Sequence, residues 1–174
     1  MDAIDKIRDT ISSHQRCSIV EVMGRGAGHI ALSLSITNGA EAVIVPEKDF
    51  SIDEDIVKPI FACRNRGKKH YIIILAEGVG KAEEIKAGIH QKTGIEARIT
   101  VLGYIQRGGS PTARDRILAS RMGSHAVDIL LDGCDSRIVA IQNGKVTDIA
   151  MEDAFKMKKS ISEADLALTK ILST

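Results

Sequence analysis

HYIIILAEG, His70 to Gly78, is the stretch on which the fold turns. Ile72 to Ala76 are five apolar side chains in a row, without the polar alternation of a half-exposed antiparallel strand. They suit a parallel strand covered by helices on both faces. Upstream, Asp2 to Ser12 spaces Ile4, Ile7 and Ile11 as one face of an amphipathic helix. CSIVEVM, Cys17 to Met23, is β-rich and runs into Gly24, Gly26 and Gly28. His29 to Ile36 reads as a short helix, Asn38 and Gly39 as a turn, and AVIVP at Ala42 to Pro46 as a buried strand. Ser51 with Glu54 three residues on resembles a capping box, opening a helix that fades near the basic Arg64 to Lys69. Downstream, the pattern predicts a helix from Lys81 to about Lys92 and a strand from Ala97 to Leu102. Strand and helix thus alternate four times before Gly103, the signature of an α/β sandwich around a parallel sheet.

After Gly103 the texture changes. GYIQRGGSP leads through Pro111 into a long helix from about Thr112 to Leu131, ended by Asp132 and Gly133. Two strand-like runs, Arg137 to Gln142 and Lys145 to Ile149, flank Asn143 and Gly144, the favoured pair for a tight hairpin. An amphipathic helix from Ser162 to Leu172 closes the chain.

The 174 residues are 44% hydrophobic and 27% charged, with 24 Lys plus Arg against 23 Asp plus Glu. That length fits one medium domain, or one and part of another, and the composition excludes a disordered tail. No run approaches the ~20 apolar residues of a membrane span, and Met1 to Thr10 is charged where a signal peptide needs an apolar stretch. A cytoplasmic protein with no membrane partner is the expectation. Balanced charge argues against a surface that as a whole attracts nucleic acid, and with no Trp, platforms for stacking bases are scarce. Cys17, Cys63 and Cys134 are odd in number and lack a CxxC pair; they read as reduced thiols, two of them in core strands.

In an open parallel sheet, ligands gather beyond the carboxyl ends of the strands, so the loops after Met23, Ala76 and Leu102 are where chemistry is sought. MGRGAG, Met23 to Gly28, reads either as an anion cradle before a helix, with Arg25 offering a planar fork to phosphate, or as an ordinary tight turn. It is no dinucleotide fingerprint, since His29 stands at the third glycine position. GVGK at Gly78 to Lys81 is no P-loop, because Leu75 and Ala82 stand at the first glycine and the metal-binding hydroxyl. Arg107 with its two following glycines reads as a phosphate loop, with Arg98 at the start of the same strand, or as a crossover that needs glycine to bend. RNRGKKH, Arg64 to His70, is a solvated helix end or a further anion site. Glu41 is a solvated carboxylate or a ligand for a nucleotide's magnesium. No acid/base pair stands out, so the residues point to a binder of phosphorylated metabolites with Arg anchors.

These motifs stand together in one order: HQR at His14 to Arg16, VEVMGR at Val20 to Arg25, GAE at Gly39 to Glu41, RGKKH at Arg66 to His70 and AEG at Ala76 to Gly78. RITVLGYIQRGGSP at Arg98 to Pro111, DRILASRMG at Asp115 to Gly123 and IQN at Ile141 to Asn143 follow. The sequence closely resembles the bacterial ATP-dependent 6-phosphofructokinases of glycolysis along nearly its whole length.

The resemblance implies transfer of the ATP γ-phosphoryl group to the 1-hydroxyl of fructose 6-phosphate, with Mg2+ accompanying ATP and the effector. Carried over by position, Met23, Gly24 and Arg25 contact the sugar, and Arg25 also stabilises the transferring phosphoryl group. Glu77 accepts hydrogen bonds from sugar hydroxyls. Tyr104 and Arg107 hold the 6-phosphate, with Ile105 and Gln106 in the same substrate-binding stretch, joined by Arg16 and Arg98 from a neighbouring subunit. Arg8, Gly39, Ala40, Glu41, Arg66, Lys68, Lys69 and His70 map to a regulatory site for ADP and phosphoenolpyruvate, with Glu41 near the effector's magnesium. Both sites lie at subunit interfaces in the family, so a homotetramer is implied.

The implied architecture is a Rossmann-like three-layer α/β sandwich with a mainly parallel sheet, plus a partial second α/β domain. Residues 1–105 form the sugar-phosphate and effector domain, 106–155 a segment of the large nucleotide domain, and 156–174 a helix packing back on the first. The long helix and hairpin then lack much of their sheet and expose apolar surface. The family's Gly-rich nucleotide site, magnesium ligands and catalytic Asp have no counterpart in these residues, so the isolated chain is expected to show no kinase turnover. Tyr104 replaces a phosphate-contacting His of the family, His29 an acidic residue and Asn38 a glycine. A pyrophosphate-dependent relative and a non-catalytic module sensing a phosphorylated metabolite or nucleotide are the alternatives.

Overall fold

In the computed structural model, which describes residues 1–12, 16–157 and 160–173, the chain divides into two compact units. The first comprises Met1–Arg107 with Ser160–Thr174, the second Gly108–Lys159. His14 and Gln15 of the HQR motif lie outside the described residues.

The first unit is built on four strands: β1 (Cys17–Val22), β2 (Ala42–Ile44), β3 (Tyr71–Ala76) and β4 (Ala97–Val101). All pair in parallel, in the order β2-β3-β1-β4. The run that decides the fold occupies the interior, and every residue of β3 is buried. Its side chains divide by parity. Tyr71, Ile73 and Leu75 enter one apolar layer with Ile56, Ile60, Ile85 and Ile89; Ile72, Ile74 and Ala76 enter the other with Ile4, Ile11 and Ala31. Burying each large aliphatic side chain contributes about 1.5–3 kcal/mol. Helices therefore cover both faces. α1 (Asp2–Ser12) and α2 (His29–Asn38) lie on one, α3 (Lys58–Asn65) and α4 (Ala82–Thr93) on the other.

Two local readings are corrected. Ser51 Oγ does accept from the Glu54 amide, but the carboxylate that returns the bond to the Ser51 amide is that of Asp55, at 2.9 Å. The reason is that Ile52–Val57 winds as a π-helix, whose wider turn carries the next residue round to the cap. Among the cysteines, only Cys17 lies in a core strand. Cys63 is buried in α3, on the helical face it shares with Ile60 and Ile56, and Cys134 is exposed. α7 (Glu163–Leu172), the last helix of the chain, is capped by Ser162 and packs on α2 and β2.

The second unit contains α5 (Ala113–Leu131), the antiparallel hairpin β5 (Arg137–Gln142) and β6 (Lys145–Ala150), and a short α6 (Met151–Lys156) that the sequence reading did not include. Thr112 and Asp115 form a reciprocal capping box at the start of α5. Asn143 (φ 51) and Gly144 (φ 77) adopt the left-handed pair of a tight hairpin turn. α5 has no buried residue, and Ile117, Val127, Leu130 and Leu131 are exposed.

Candidate functional site

Neighbouring strands β1 and β3 send their connections to opposite faces of the sheet, to α2 and to α4 respectively, which opens a crevice beyond their carboxyl ends. Three loops meet there. Glu77 follows β3, and its Oε1 accepts from the amides of Gly24 (3.2 Å) and Arg25 (2.6 Å) in the loop after β1. Gln106, in the 3-10 turn Gly103–Gln106 after β4, accepts from the Met23 amide at 2.9 Å. Gly78 is required by contact: a Cβ there would lie 2.3 Å from the Arg25 carbonyl oxygen. Arg25 is exposed, with its backbone in the left-handed region at φ 54. Arg107 stacks over Tyr104, its guanidinium carbon 5.2 Å from the ring centroid, so the tyrosine orients the arginine by a cation–π contact. Ile105 is exposed.

Within one copy of the chain, Arg16 and Arg98 do not join this crevice. They sit at the amino ends of β1 and β4, where both reach Glu96: Arg16 Nε is 3.0 Å from it and Arg98 Nε 3.9 Å. Arg98 stands near the start of β4, as anticipated, and Arg107 beyond its end, because an extended strand advancing about 3.3 Å per residue separates them. The helix N-terminus after MGRGAG is also occupied, since the Gly28 amide donates to Glu47 Oε1 at 2.8 Å. Glu47 carried no signal in the sequence; only the end of β2 brings it there.

A second site lies at the amino end of β3. Arg8, Asn38, Gly39, Glu41, Lys68 and His70 surround a cavity of about 220 Å3. Arg8 donates to the Asn38 carbonyl, which adds Asn38 to the residues anticipated here. Glu41 is neither solvated nor open. Its side chain is buried, Lys68 pairs with Oε1, and the Ile72 amide donates to Oε2 at 2.5 Å. With an ammonium on one oxygen and an amide on the other, this carboxylate does not fit a divalent ion. No cluster of three or more His, Cys, Asp or Glu side chains suited to a metal occurs among the described residues. Ala40 is buried and does not line the cavity. Arg66 and Lys69, grouped with it in the sequence reading, line two other cavities of about 240 Å3 each; Arg66 faces Leu166 and Lys170, and Lys69 stands with Arg64 and Tyr71. The turn sends Arg66 to a different cavity from Lys68, while Lys68 lines both the Glu41 cavity and that of Lys69, and linear proximity does not show this.

The phosphofructokinase family model matches residues 1–130. The chain belongs to the phosphofructokinase family. It is 53% identical to the ATP-dependent 6-phosphofructokinase of Clostridium novyi (strain NT) and 50% identical to that of Brevibacillus brevis, in both cases over 99% of this chain and 54% of the relative. The chain thus spans about half the length of the curated relatives it matches. Among solved structures, phosphofructokinase from Saccharomyces cerevisiae superposes with a TM-score of 0.84 at 30% identity, over 99% of this chain and 25% of that one. The parallel α/β architecture is therefore a phosphofructokinase architecture. No helix among the described residues is long and apolar enough to cross a membrane.

Proposed function

We propose that the chain supplies the fructose 6-phosphate and effector-binding half of an ATP-dependent 6-phosphofructokinase. The observation that carries this reading is the crevice joining Met23–Arg25, Glu77 and Gln106 by hydrogen bonds across three strand ends, in a chain 53% identical to a relative of that name. Arg25, on a loop fixed at its backbone, presents an exposed cation where a phosphoryl group gathers charge. Catalysis of this class rests on positioning and charge neutralisation. Glu77 takes sugar hydroxyls. Arg107 holds the 6-phosphate, and each charge-assisted bond of this kind contributes about 1.5–3 kcal/mol. Arg16 and Arg98 complete the phosphate site from a second copy, which supports a homotetramer. Arg8, Lys68 and His70 receive the anionic effectors ADP and phosphoenolpyruvate. Residues 1–105 serve as the sugar and effector domain, 106–155 as a strip of the nucleotide domain, and 156–174 as the helix returning to the first. ATP, its magnesium and the proton acceptor for the sugar hydroxyl fall to residues outside these 174, and the location is cytoplasmic.

Calorimetric titration of the chain with fructose 6-phosphate, ADP and phosphoenolpyruvate tests the reading. Sugar phosphate binding that is lost on Arg107→Ala supports it. Effector binding with no sugar phosphate binding overturns it in favour of a sensing module. ATP-dependent turnover by the isolated chain overturns the placement of the donor site elsewhere.

A further inference from the structure

We propose that Gln106 and one oxygen of Glu77 form a clamp that sets the Met23–Arg25 loop before any ligand arrives, with Gln106 acting on the loop and not on the sugar. Three successive amides, Met23, Gly24 and Arg25, donate to side chains 83, 53 and 52 positions away in the chain. These residues follow the last residue of β1 and precede α2, so no ladder or helix holds them. Arg25 occupies a left-handed backbone region that L side chains avoid, and such a conformation persists only where the surroundings over-determine it. The 2.6 Å bond from its amide to Glu77 fixes it, and its carbonyl oxygen lies so close to Gly78 that a Cβ there would come within 2.3 Å. Glu77 serves both amides through Oε1 alone; its Oε2 has no hydrogen-bond partner among the described residues and stays available to a sugar hydroxyl. Gln106 spends its Oε1 on Met23. A loop held in its binding form loses less freedom when ligand binds, so the clamp raises affinity through preorganisation.

This inference rests on the sugar-site reading only for its consequence on affinity; the clamp itself is read without ligand. Amide hydrogen exchange is measured in the ligand-free 174-residue chain by NMR. Gln106→Ala is expected to speed exchange at Met23 by about three- to tenfold, the loss of one hydrogen bond, with Gly24 and Arg25 following. Gln106→Glu, which keeps an acceptor, restores protection, a rescue that a role in general packing would not give. Ile73 and Ile74 in β3 serve as the control for global stability. Where Gln106→Ala loosens these as well, Gln106→Met fills the space without an acceptor and reads the same contact. Unchanged exchange at Met23, or no rescue by Gln106→Glu, overturns the proposal. Clamp-dependent exchange with no fructose 6-phosphate binding by the parent chain overturns only the sugar-site reading, and sugar binding with clamp-independent exchange overturns only the clamp.

Discussion

Replacing Lys68 by Met is expected to destabilise the chain by about 3 kcal/mol, well beyond what a lysine near the surface ordinarily contributes. The reason lies in its partner. The Glu41 side chain is 1% accessible, so its carboxylate cannot turn to water when the ammonium is removed. Stranding one member of a buried ion pair costs about 3–5 kcal/mol, and the lower end applies because the Ile72 amide still donates to Oε2. Glu41→Gln removes the charge but keeps an acceptor for Ile72, and the 24% exposed Lys68 can hydrate, so the loss is smaller, about 1–2 kcal/mol. In the double variant no charge is stranded, and it is expected to be more stable than Lys68→Met alone. Urea unfolding followed by far-UV circular dichroism reads all four species, provided the denaturant slope is shared. A Lys68→Met loss below about 0.5 kcal/mol, or strictly additive effects in the double variant, would refute the reasoning.

Gly78→Ala forces a Cβ to within 2.3 Å of the Arg25 carbonyl, so it is expected to displace the Met23–Arg25 loop and weaken fructose 6-phosphate binding at least about tenfold, while the buried β3 amides keep their exchange protection; unaltered binding by calorimetry would contradict this. The thiols divide by environment: burial first, and the Glu41 carboxylate second, push Cys17 and Cys63 up, whereas Cys134 is exposed, so a disulfide-exchange reagent at neutral pH is expected to modify one thiol rapidly in the folded chain. Rapid release of two or three equivalents without denaturant would show the burial to be wrong. In the second unit, hydrogen bonds from His125 and then Arg137 hold Asp148 below its ordinary value of 3.8. A lowered folded pKa means a contribution fully present above the unfolded value and lost as pH falls through the folded one; an NMR titration placing Asp148 at or above 3.8 counts against it.

Much of the fold was legible because parallel strands and amphipathic helices write their environment into side-chain order. The unbroken run Ile72 to Ala76 marked the central strand, Ile4 and Ile11 marked the buried face of α1, and Asn143-Gly144 marked the hairpin turn, each set by local backbone and burial rules. The π-helical entry to α3, Ile52–Val57, was not legible, because six residues of a wider turn leave no side-chain period distinct from that of an α-helix.

For the sites, the sequence by itself determined the identities and order of the anion-binding motifs, and the resemblance built on them led to the phosphofructokinase family. It placed Arg98 at the start of the strand that leads to Arg107, but only the folded sheet set Arg16 beside Arg98 at the amino ends, both on Glu96 and away from the crevice. It could offer Glu41 as a solvated group or a metal ligand, but only the meeting of β2 with the turn before β3 buried that carboxylate between Lys68 and Ile72. Likewise, Gln106 and Glu77 became partners of Met23, Gly24 and Arg25 through strand order, which joins residues 83, 53 and 52 positions apart. Local patterns follow from forces acting over a few residues; hydrogen bonds and ion pairs across loops depend on which strands lie side by side, and that is settled only when the core closes.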